Sequence, residues 1–319
     1  MADSTTPWSS PEVYDTEGPR TAAADALDVE QATETVEDFT ALYHELRDQT
    51  LGRTRWLGVT VVKSPTDLVI LQEVVAETRP NLIIETGVLA GGFTYYLATL
   101  FDLLGIDGQV IGVDVDLSPV NPYIANHPRI DLIEGSSTDP AVVETLRERA
   151  RGRRVMVDLD SDHRAEHVER ELRALAPLVT PNCYLVVEDT WFGRTVRFDQ
   201  GRGPADALRA WLAEGQPFEI DRWRERLLLT HNAGGYLRRL GAKGGGATGP
   251  LRLDRFFVPP LDDAGSDRER ERVPLTPEQA ARNRHQVEYD ELRAYARRLE
   301  AELAELRGTG GSAGGPEAE

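Results

Sequence analysis

Short apolar runs alternate with amphipathic stretches between residues 39 and 240. Five of these runs are apolar throughout and are read as buried strands: NLIIE, QVIGVDVD, RIDLIEG, RRVMVDLD and CYLVVED. Amphipathic helical patterns, at residues 141–150, 165–176 and 204–214, separate several of them. Buried strands interleaved with helices are typical of a doubly wound, mostly parallel sheet. The pattern therefore predicts an α/β fold.

Both ends of this core carry further local signals. Ser64 as N-cap and Pro65 at the first helical position predict a helix ahead of the first strand, which Pro80 ends. At the other end, FEIDRWRERLLLTHN (218–232) predicts two strands joined by a tight turn. This antiparallel edge hairpin brings the predicted sheet to seven strands, five apolar runs plus two.

The predicted core domain, residues 38–240, is flanked by segments of different composition. Residues 1–37 are rich in Ser, Thr, Pro, Ala and acids without periodicity, which predicts disorder. A flexible linker is expected at 241–275, and a disordered tail at 308–319. Residues 276–307 combine a capping box with heptad-spaced leucines. They predict an amphipathic C-terminal helix, which either packs on its own domain or joins subunits of a homo-oligomer as a short coiled coil.

Composition narrows the class of protein further. A net charge of −18 over 319 residues argues against nucleic acid or an anionic membrane as the main partner. No apolar run approaches the roughly 20 residues that span a bilayer, and the N-terminus lacks the pattern of a secretory signal. Cys183 is the single cysteine, which fits a reducing compartment. We therefore expect a cytoplasmic protein that acts on a small molecule.

A glycine-rich turn follows the first apolar strand. The stretch IIETGVLAGGF contains Gly87, Gly91 and Gly92, which would let a ligand approach the backbone at a helix N-terminus. The spacing differs from the G-x-G-x-x-G of dinucleotide folds, and Glu85 at the strand end suits a positively charged group better than a diphosphate. Asp114 ends the next strand, where a carboxylate can accept both ribose hydroxyls. The pattern predicts a nucleoside-type cofactor; the alternative is a tight turn with a solvated acid.

Carboxylates gather where the later strands end. The fourth strand ends at Asp160 and the fifth at Glu188 and Asp189, and parallel strands direct such residues into one crevice. Three carboxylates at this distance would repel one another strongly unless a cation joined them. An all-oxygen ligand set suits Mg²⁺ or a similar hard ion. Asp158 and Asp162 are expected to have supporting or solvated roles.

Histidine and aromatic residues lie beside the same crevice. His163 follows Asp160 by three residues, and an imidazole is a natural general base for a hydroxyl that a metal has acidified. The alternative is a histidine at the start of a helix that hydrogen-bonds a neighbouring acid. His167 is expected to be structural. Trp191 and Phe192 either form a wall of the substrate pocket or belong to the core.

Several ordered motifs resemble a known family. LIIETGVLAGG, VIGVDVD, VDLDSDHRAEHVERELRALAPLV, YLVVEDTWFG and THNAGGYLRRL are similar to the class I S-adenosylmethionine methyltransferases grouped with cephalosporin hydroxylase and the rhamnosyl O-methyltransferases. WLGVTVVKSPTDLVILQE, ahead of the first strand, fits the same pattern. The resemblance covers roughly residues 50–240 and implies a Rossmann-like class I methyltransferase fold.

The resemblance also implies residue roles at the cofactor. Glu85 and Gly87 would line the methionine end of S-adenosylmethionine, Asp114 would hold the ribose, and Ser137 would lie by the adenine. Phe93 departs from the pattern, because relatives often carry Ser there, which puts the contact with the cofactor carboxylate in doubt.

At the reaction centre the resemblance implies a metal site and a base. Asp160, Glu188 and Asp189 match Mg²⁺ ligands, and Asp160 is also expected to contact the cofactor. His163 matches the base of related sugar methyltransferases. The predicted function is O-methylation of a deoxysugar hydroxyl, of rhamnosyl type, on a secondary metabolite such as an antibiotic. A cephem or polyketide hydroxyl is the alternative acceptor. A nicotinamide-dependent dehydrogenase and a non-catalytic assembly protein are less favoured, because the glycine spacing and the intact acid triad argue against them.

Overall fold

The computed structural model of this protein describes residues 29–192 and 202–241. The predicted linker beyond residue 241, the predicted C-terminal helix and the predicted tail therefore lie outside the described residues. None of the described helices is long and apolar enough to cross a membrane.

The sheet strands, in chain order, are β3 Leu82–Thr86, β4 Gln109–Asp114, β5 Ile130–Glu134, β6 Val155–Leu159, β7 Tyr184–Val187, β8 Phe218–Ile220 and β9 Tyr236–Arg239. They lie in the order β5-β4-β3-β6-β7-β9-β8. Strands β3 to β7 are parallel, and β9 pairs antiparallel with both β7 and β8. A small antiparallel ribbon, β1 Arg55–Trp56 with β2 Val59–Thr60, precedes the sheet.

Helices cover both faces of this sheet. They are α1 Val29–Glu45, α2 Pro65–Thr78, α3 Gly92–Leu103, α4 Pro122–Ala125, α5 Pro140–Ala150, α6 Ala165–Leu175 and α7 Pro204–Ala213. The predicted start of α2 is confirmed, with Ser64 as its N-cap and Pro65 in the first turn. The predicted helices in the regions of α5, α6 and α7 are also confirmed, to within the one or two residues by which helix ends vary.

Alternate residues of each central strand pack against opposite helical layers. Leu82 and Ile84 of β3 pack into the cluster that includes Leu172 of α6, while Ile83 packs with Leu71 of α2. All residues of β3 and β6 are buried. Burial on both faces explains why these strands are continuous apolar runs, and the doubly wound α/β fold is confirmed.

The hairpin prediction is right about the antiparallel pair and wrong about its second strand. Within 218–232 only the first strand forms; β9 begins at Tyr236 and lies between β7 and β8. The intervening chain is held as a loop by Asp67 of α2. Its carboxylate accepts a hydrogen bond from the Thr230 hydroxyl at 2.5 Å and from the His231 backbone amide at 3.0 Å. These bonds hold the loop over the carboxyl end of the sheet.

The predicted N-terminal disorder is wrong for residues 29–37, which form the first half of α1, so the domain boundary at residue 38 falls inside a helix. The helix is stabilised near its C-terminal end, where Thr40, Ala41 and His44 are buried. Helices that depend on tertiary packing in this way are weakly encoded by local sequence.

Candidate active site

A cavity of about 480 Å³ lies at the carboxyl ends of the parallel strands. Ligands bind at this edge in doubly wound sheets, where the strand order reverses. Most of the predicted site residues lie on its wall: Glu85, Gly87, Gly92, Asp114, Asp160, His163, Glu188 and Asp189. Gly91 and Ser137 are not among its lining residues.

Close backbone packing explains the glycines of the turn. Gly87 has a φ of +87°, and a Cβ there would lie 2.1 Å from the backbone oxygen of Asp160. At Gly92 a Cβ would lie 1.9 Å from the backbone oxygen of Thr60. Gly91 has a φ of +83° and is the N-cap of α3. The turn is therefore packed against β2 and against the loop that carries Asp160.

Asp114 is oriented by backbone amides at the end of β4. Its Oδ2 accepts a hydrogen bond from the Leu89 amide at 2.9 Å, and its Oδ1 from the Asp116 amide at 3.0 Å. Each oxygen keeps a second lone pair, so the carboxylate can still accept hydrogen bonds from a ribose.

Ser137 and His167 interact with each other beside the cavity. The Ser137 hydroxyl lies 3.2 Å from His167 Nε2, and the same nitrogen lies 3.6 Å from a carboxylate oxygen of Glu171. Ser137 therefore contacts His167 and is not on the cavity wall, where Glu85, Gly87 and Asp114 lie. The structure gives His167 hydrogen-bonding neighbours within the protein.

Sequence reasoning missed Lys63, which lies between two of the predicted carboxylates. Its Nζ donates a hydrogen bond to Asp160 Oδ2 at 2.6 Å and another to Glu188 Oε2, and it lies 4.3 Å from the centre of the Phe93 ring. Burial would lower the pKa of Lys63, but Asp160, Glu188 and Asp158 outweigh this and raise it well above its usual value. The protein itself thus supplies one of the cations that the clustered carboxylates require.

A second group of side chains in the cavity has the geometry of a cation site. One ligand atom each of Asp160, His163 and Asp189 lies within 4.8 Å of the others; this group includes His163, which was predicted as a base, and does not include the predicted ligand Glu188. His163 Nε2 is 3.3 Å from Asp189 Oδ2, and the indole nitrogen of Trp191 donates to Asp189 Oδ1 at 3.0 Å. Burial would raise the pKa of Asp189, but His163, with other nearby cationic groups, lowers it. The surroundings of Asp189 therefore favour the charged carboxylate, the form that can bind a cation.

Several buried carboxylate oxygens near this site are suited to bind a divalent ion. Glu188 Oε1 and both oxygens of Asp158 are buried and have no hydrogen-bond partner in the described part of the chain. Burial raises the pKa of Asp158 to about 7 and that of Glu188 well above its usual range. An unpartnered buried carboxylate is costly, and a hard cation is the partner that oxygen donors favour. The residues present therefore fit Mg²⁺ or a similar ion.

The side chain of Glu85 is buried next to the glycine turn. Its Oε2 is buried and has no hydrogen-bond partner within residues 29–192 and 202–241, and burial raises the pKa of its carboxyl to about 8. A ligand cation, such as an ammonium, would supply the missing partner.

The end of α1 and two later loops complete the cavity wall. His44, Arg47 and Asp48 contribute from the N-terminal side, and Trp191 and His231 from the other. The His44 ring centre lies 4.6 Å from that of Trp191, and burial lowers the pKa of His44 to about 4. Trp191 is therefore both buried and part of the wall. The first three residues were not predicted, because they follow a segment with no sequence motif.

The fold and the site together define a protein of the class I methyltransferase fold. Residues 48–240 match the family described as rhamnosyl O-methyltransferase/CmcI. The chain belongs to this family.

Two mycobacterial relatives agree with that assignment. The rhamnosyl O-methyltransferase of Mycobacterium leprae is 35% identical over 192 residues, which are 58% of this chain and 83% of that protein. The Mycobacterium tuberculosis rhamnosyl O-methyltransferase is 34% identical over 163 residues, 50% of this chain and 66% of that protein, just under two thirds of its length. A solved structure of CmcI with magnesium and S-adenosylmethionine is 24% identical, with a TM-score of 0.49, covering 60% of this chain and 78% of that one.

Proposed function

We propose that this protein is an S-adenosylmethionine- and Mg²⁺-dependent O-methyltransferase. One observation carries the proposal: a single cavity contains the glycine turn, Asp114 and the cluster of Asp160, His163 and Asp189. A cofactor that donates a methyl group and a hydroxyl that accepts it must meet in one place. Membership of the rhamnosyl O-methyltransferase/CmcI family supports this reading.

The cofactor end of the cavity suits S-adenosylmethionine. Glu85 offers a buried carboxyl to the methionine ammonium, and Asp114 offers two oriented oxygens to the ribose. Gly87 also lies on the cavity wall. The sulfonium would then lie close to the carboxylates that follow β6 and β7.

The chain's own residues can orient the acceptor and remove its proton. A divalent ion held by Asp160, Glu188 and Asp189 would lower the pKa of an acceptor hydroxyl. With S-adenosylmethionine held by Glu85, Gly87 and Asp114 as the methyl donor, His163 would accept the proton of the acceptor hydroxyl. Asp189, 3.3 Å from the imidazole, stabilises the resulting charge. Positioning of this kind contributes several kcal/mol to a bimolecular step.

The proposed acceptor is a deoxysugar hydroxyl, of rhamnosyl type, on a secondary metabolite. This choice of acceptor rests on the relatives, which are named rhamnosyl O-methyltransferases. A cephem or polyketide hydroxyl is the alternative. The test is mass spectrometry of products from a panel of rhamnosides, cephems and polyketide phenols, each incubated with the cofactor and Mg²⁺. We expect a gain of one methyl group on a rhamnoside; methylation of a cephem or phenol alone would reject the sugar acceptor, and no methylation of any would reject the proposed activity.

A further inference from the structure

Lys63 is held rigidly in front of the carboxylates. Its side chain is 6% exposed, and the chain on both sides is fixed. The Val61 amide donates to the Thr54 oxygen at 2.9 Å, and Ser64 begins α2. The Phe93 ring lies beside the ammonium, with its centre 4.3 Å from Nζ.

The ammonium uses only one oxygen from each of two carboxylates. It binds Oδ2 of Asp160, which follows β6, and Oε2 of Glu188, which follows β7. Glu188 Oε1 is buried and has no hydrogen-bond partner among the residues the structure describes, and the contact of Lys63 with Asp160 is made through Oδ2. Lys63 thus joins the ends of two neighbouring strands and leaves an oxygen of each for another cation.

Lys63 contacts these carboxylates where water does little to weaken an ion pair. The ammonium and the Glu188 carboxylate are both buried, and Asp160 is mostly buried beside them. Removal of the ammonium would therefore leave the two carboxylates without the group that orients them from this side.

We propose that Lys63 is a positioning residue of the metal site: its ammonium fixes the carboxylates of Asp160 and Glu188 from one side, and remains bound to them when a divalent ion binds. The inference rests on the proposed metal-dependent function. Residues that orient ligands without touching the metal typically change metal affinity by about 10- to 100-fold when they are replaced. The opposite view, that the ammonium occupies the place of the ion and competes with it, predicts tighter metal binding once Lys63 is removed.

Mn²⁺ binding separates these views without relying on turnover. Electron paramagnetic resonance of free Mn²⁺ would give its affinity for the wild type, Lys63→Met, Lys63→Arg and, as a control, Arg149→Met. Arg149 forms an exposed ion pair with Asp131 and is not on the cavity wall, so its variant removes one positive charge away from the site. We expect Lys63→Met to bind Mn²⁺ at least about tenfold more weakly, Lys63→Arg to retain part of the affinity, and Arg149→Met to match the wild type.

Equal or tighter binding by a folded Lys63→Met would overturn the positioning role while leaving the metal-dependent function intact. Absence of Mn²⁺ binding by the wild type would instead reject the proposed function itself. The two failures are therefore distinguishable.

A measurement on the unaltered protein covers the case in which Lys63→Met does not fold. The chain has two lysines, Lys63 and Lys243, so ¹⁵N-lysine NMR gives few signals, and Lys243→Arg assigns them. We expect the Lys63 ammonium to stay protected from exchange with water when saturating Mg²⁺ is added. Loss of that protection on adding Mg²⁺ would show that the ion displaces the ammonium, and would contradict the proposal.

Discussion

The position of His163 is compatible with two roles, because the same imidazole borders the cation cluster and faces Asp189. As a general base it would take the acceptor proton. As a metal ligand it would share the ion with Asp160 and Asp189. The sequence predicted a base from the distance of three residues to Asp160, but that spacing alone does not distinguish a base from a ligand.

Replacement of His163 distinguishes these roles. We expect His163→Ala to lower the turnover rate by about 10²- to 10⁴-fold, the usual contribution of a general base, with Mn²⁺ affinity nearly unchanged. Asp160→Asn should lower both turnover and Mn²⁺ affinity, and both variants should keep cofactor affinity. Turnover and Mn²⁺ titrations measure the two effects separately; a large loss of Mn²⁺ affinity in His163→Ala would make it a ligand instead.

The carboxyl of Glu85 makes the stability of the cofactor-free protein depend on pH, and cofactor binding should change that dependence. Burial raises the pKa of its carboxyl from 4.5 to about 8 in the folded state. The folded protein therefore keeps a proton that the unfolded chain loses, so the stabilisation is complete below about pH 4.5 and is lost as the pH rises to about 8. An ammonium bound to Glu85 would favour the charged carboxyl and reverse this trend.

Glu85→Gln removes this titration with little change of shape. In the cofactor-free protein we expect the variant to unfold at a higher temperature than the wild type at pH 8, and the two to converge toward pH 5. The free-energy difference should be a few kcal/mol at most, from about 1.4 kcal/mol per pKa unit. Calorimetric affinity for S-adenosylmethionine should fall. A variant less stable than the wild type at pH 8 would contradict the buried, neutral carboxyl.

At the scale of elements, the glycine turn is fixed by its packing against the Asp160 loop. Gly87→Ala should strain the backbone and also push the new Cβ against the backbone oxygen of Asp160. Gly58 has a similar φ of +88° but no atom within 4 Å of the position that a new methyl group would take, so Gly58→Ala should cause the backbone strain without the clash. We expect about 1–2 kcal/mol of lost stability at Gly58 and a clearly larger loss at Gly87. Urea unfolding measures both, and equal losses would mean that the close approach is unimportant.

Elements whose residues make local or strictly periodic contacts were predictable. The central strands β3, β6 and β7 are buried on both faces, and Ser64 and Pro65 mark the start of α2, so sequence alone identifies these elements. The second hairpin strand was misplaced because Asp67, far away in sequence, binds Thr230 and holds that apolar stretch as a loop. Helix α1 was missed because its stability comes from tertiary packing.

At the scale of the whole molecule, the site joins residues from the end of α1 to His231. The topology of a parallel sheet was enough to predict that Asp114, Asp160 and Glu188 would converge, because strand ends meet at one edge. The role of Lys63 was not predicted: the residue lies in the motif WLGVTVVKSPTDLVILQE, but its contacts with Asp160 and Glu188 span 97 and 125 residues. Long-range ion pairs of this kind are visible only after folding.

Because ligands bind across all these elements, they should stabilise the whole fold. Mg²⁺ at about 100 times its dissociation constant would contribute about 2.7 kcal/mol, provided that the unfolded chain does not bind it. Thermal unfolding with Mg²⁺ and S-adenosylhomocysteine should therefore occur at a higher temperature, and NAD should have no effect. The Asp160→Asn variant is the control, and a Mg²⁺ shift of equal size in that variant would place the ion elsewhere.

Transfer of a labelled methyl group, measured with and without metal, tests whether this cavity carries out metal-dependent methylation. The protein is incubated with a rhamnoside and S-adenosylmethionine carrying a deuterated methyl group, and the product is followed by mass spectrometry with Mg²⁺, with EDTA, and after Mg²⁺ is restored. We expect the wild type to form a labelled methyl ether, which EDTA abolishes and Mg²⁺ restores. We expect Asp160→Asn to form no labelled product under any of these conditions. Label transfer that is equally fast in EDTA, or in Asp160→Asn, would contradict metal-dependent methylation in this cavity.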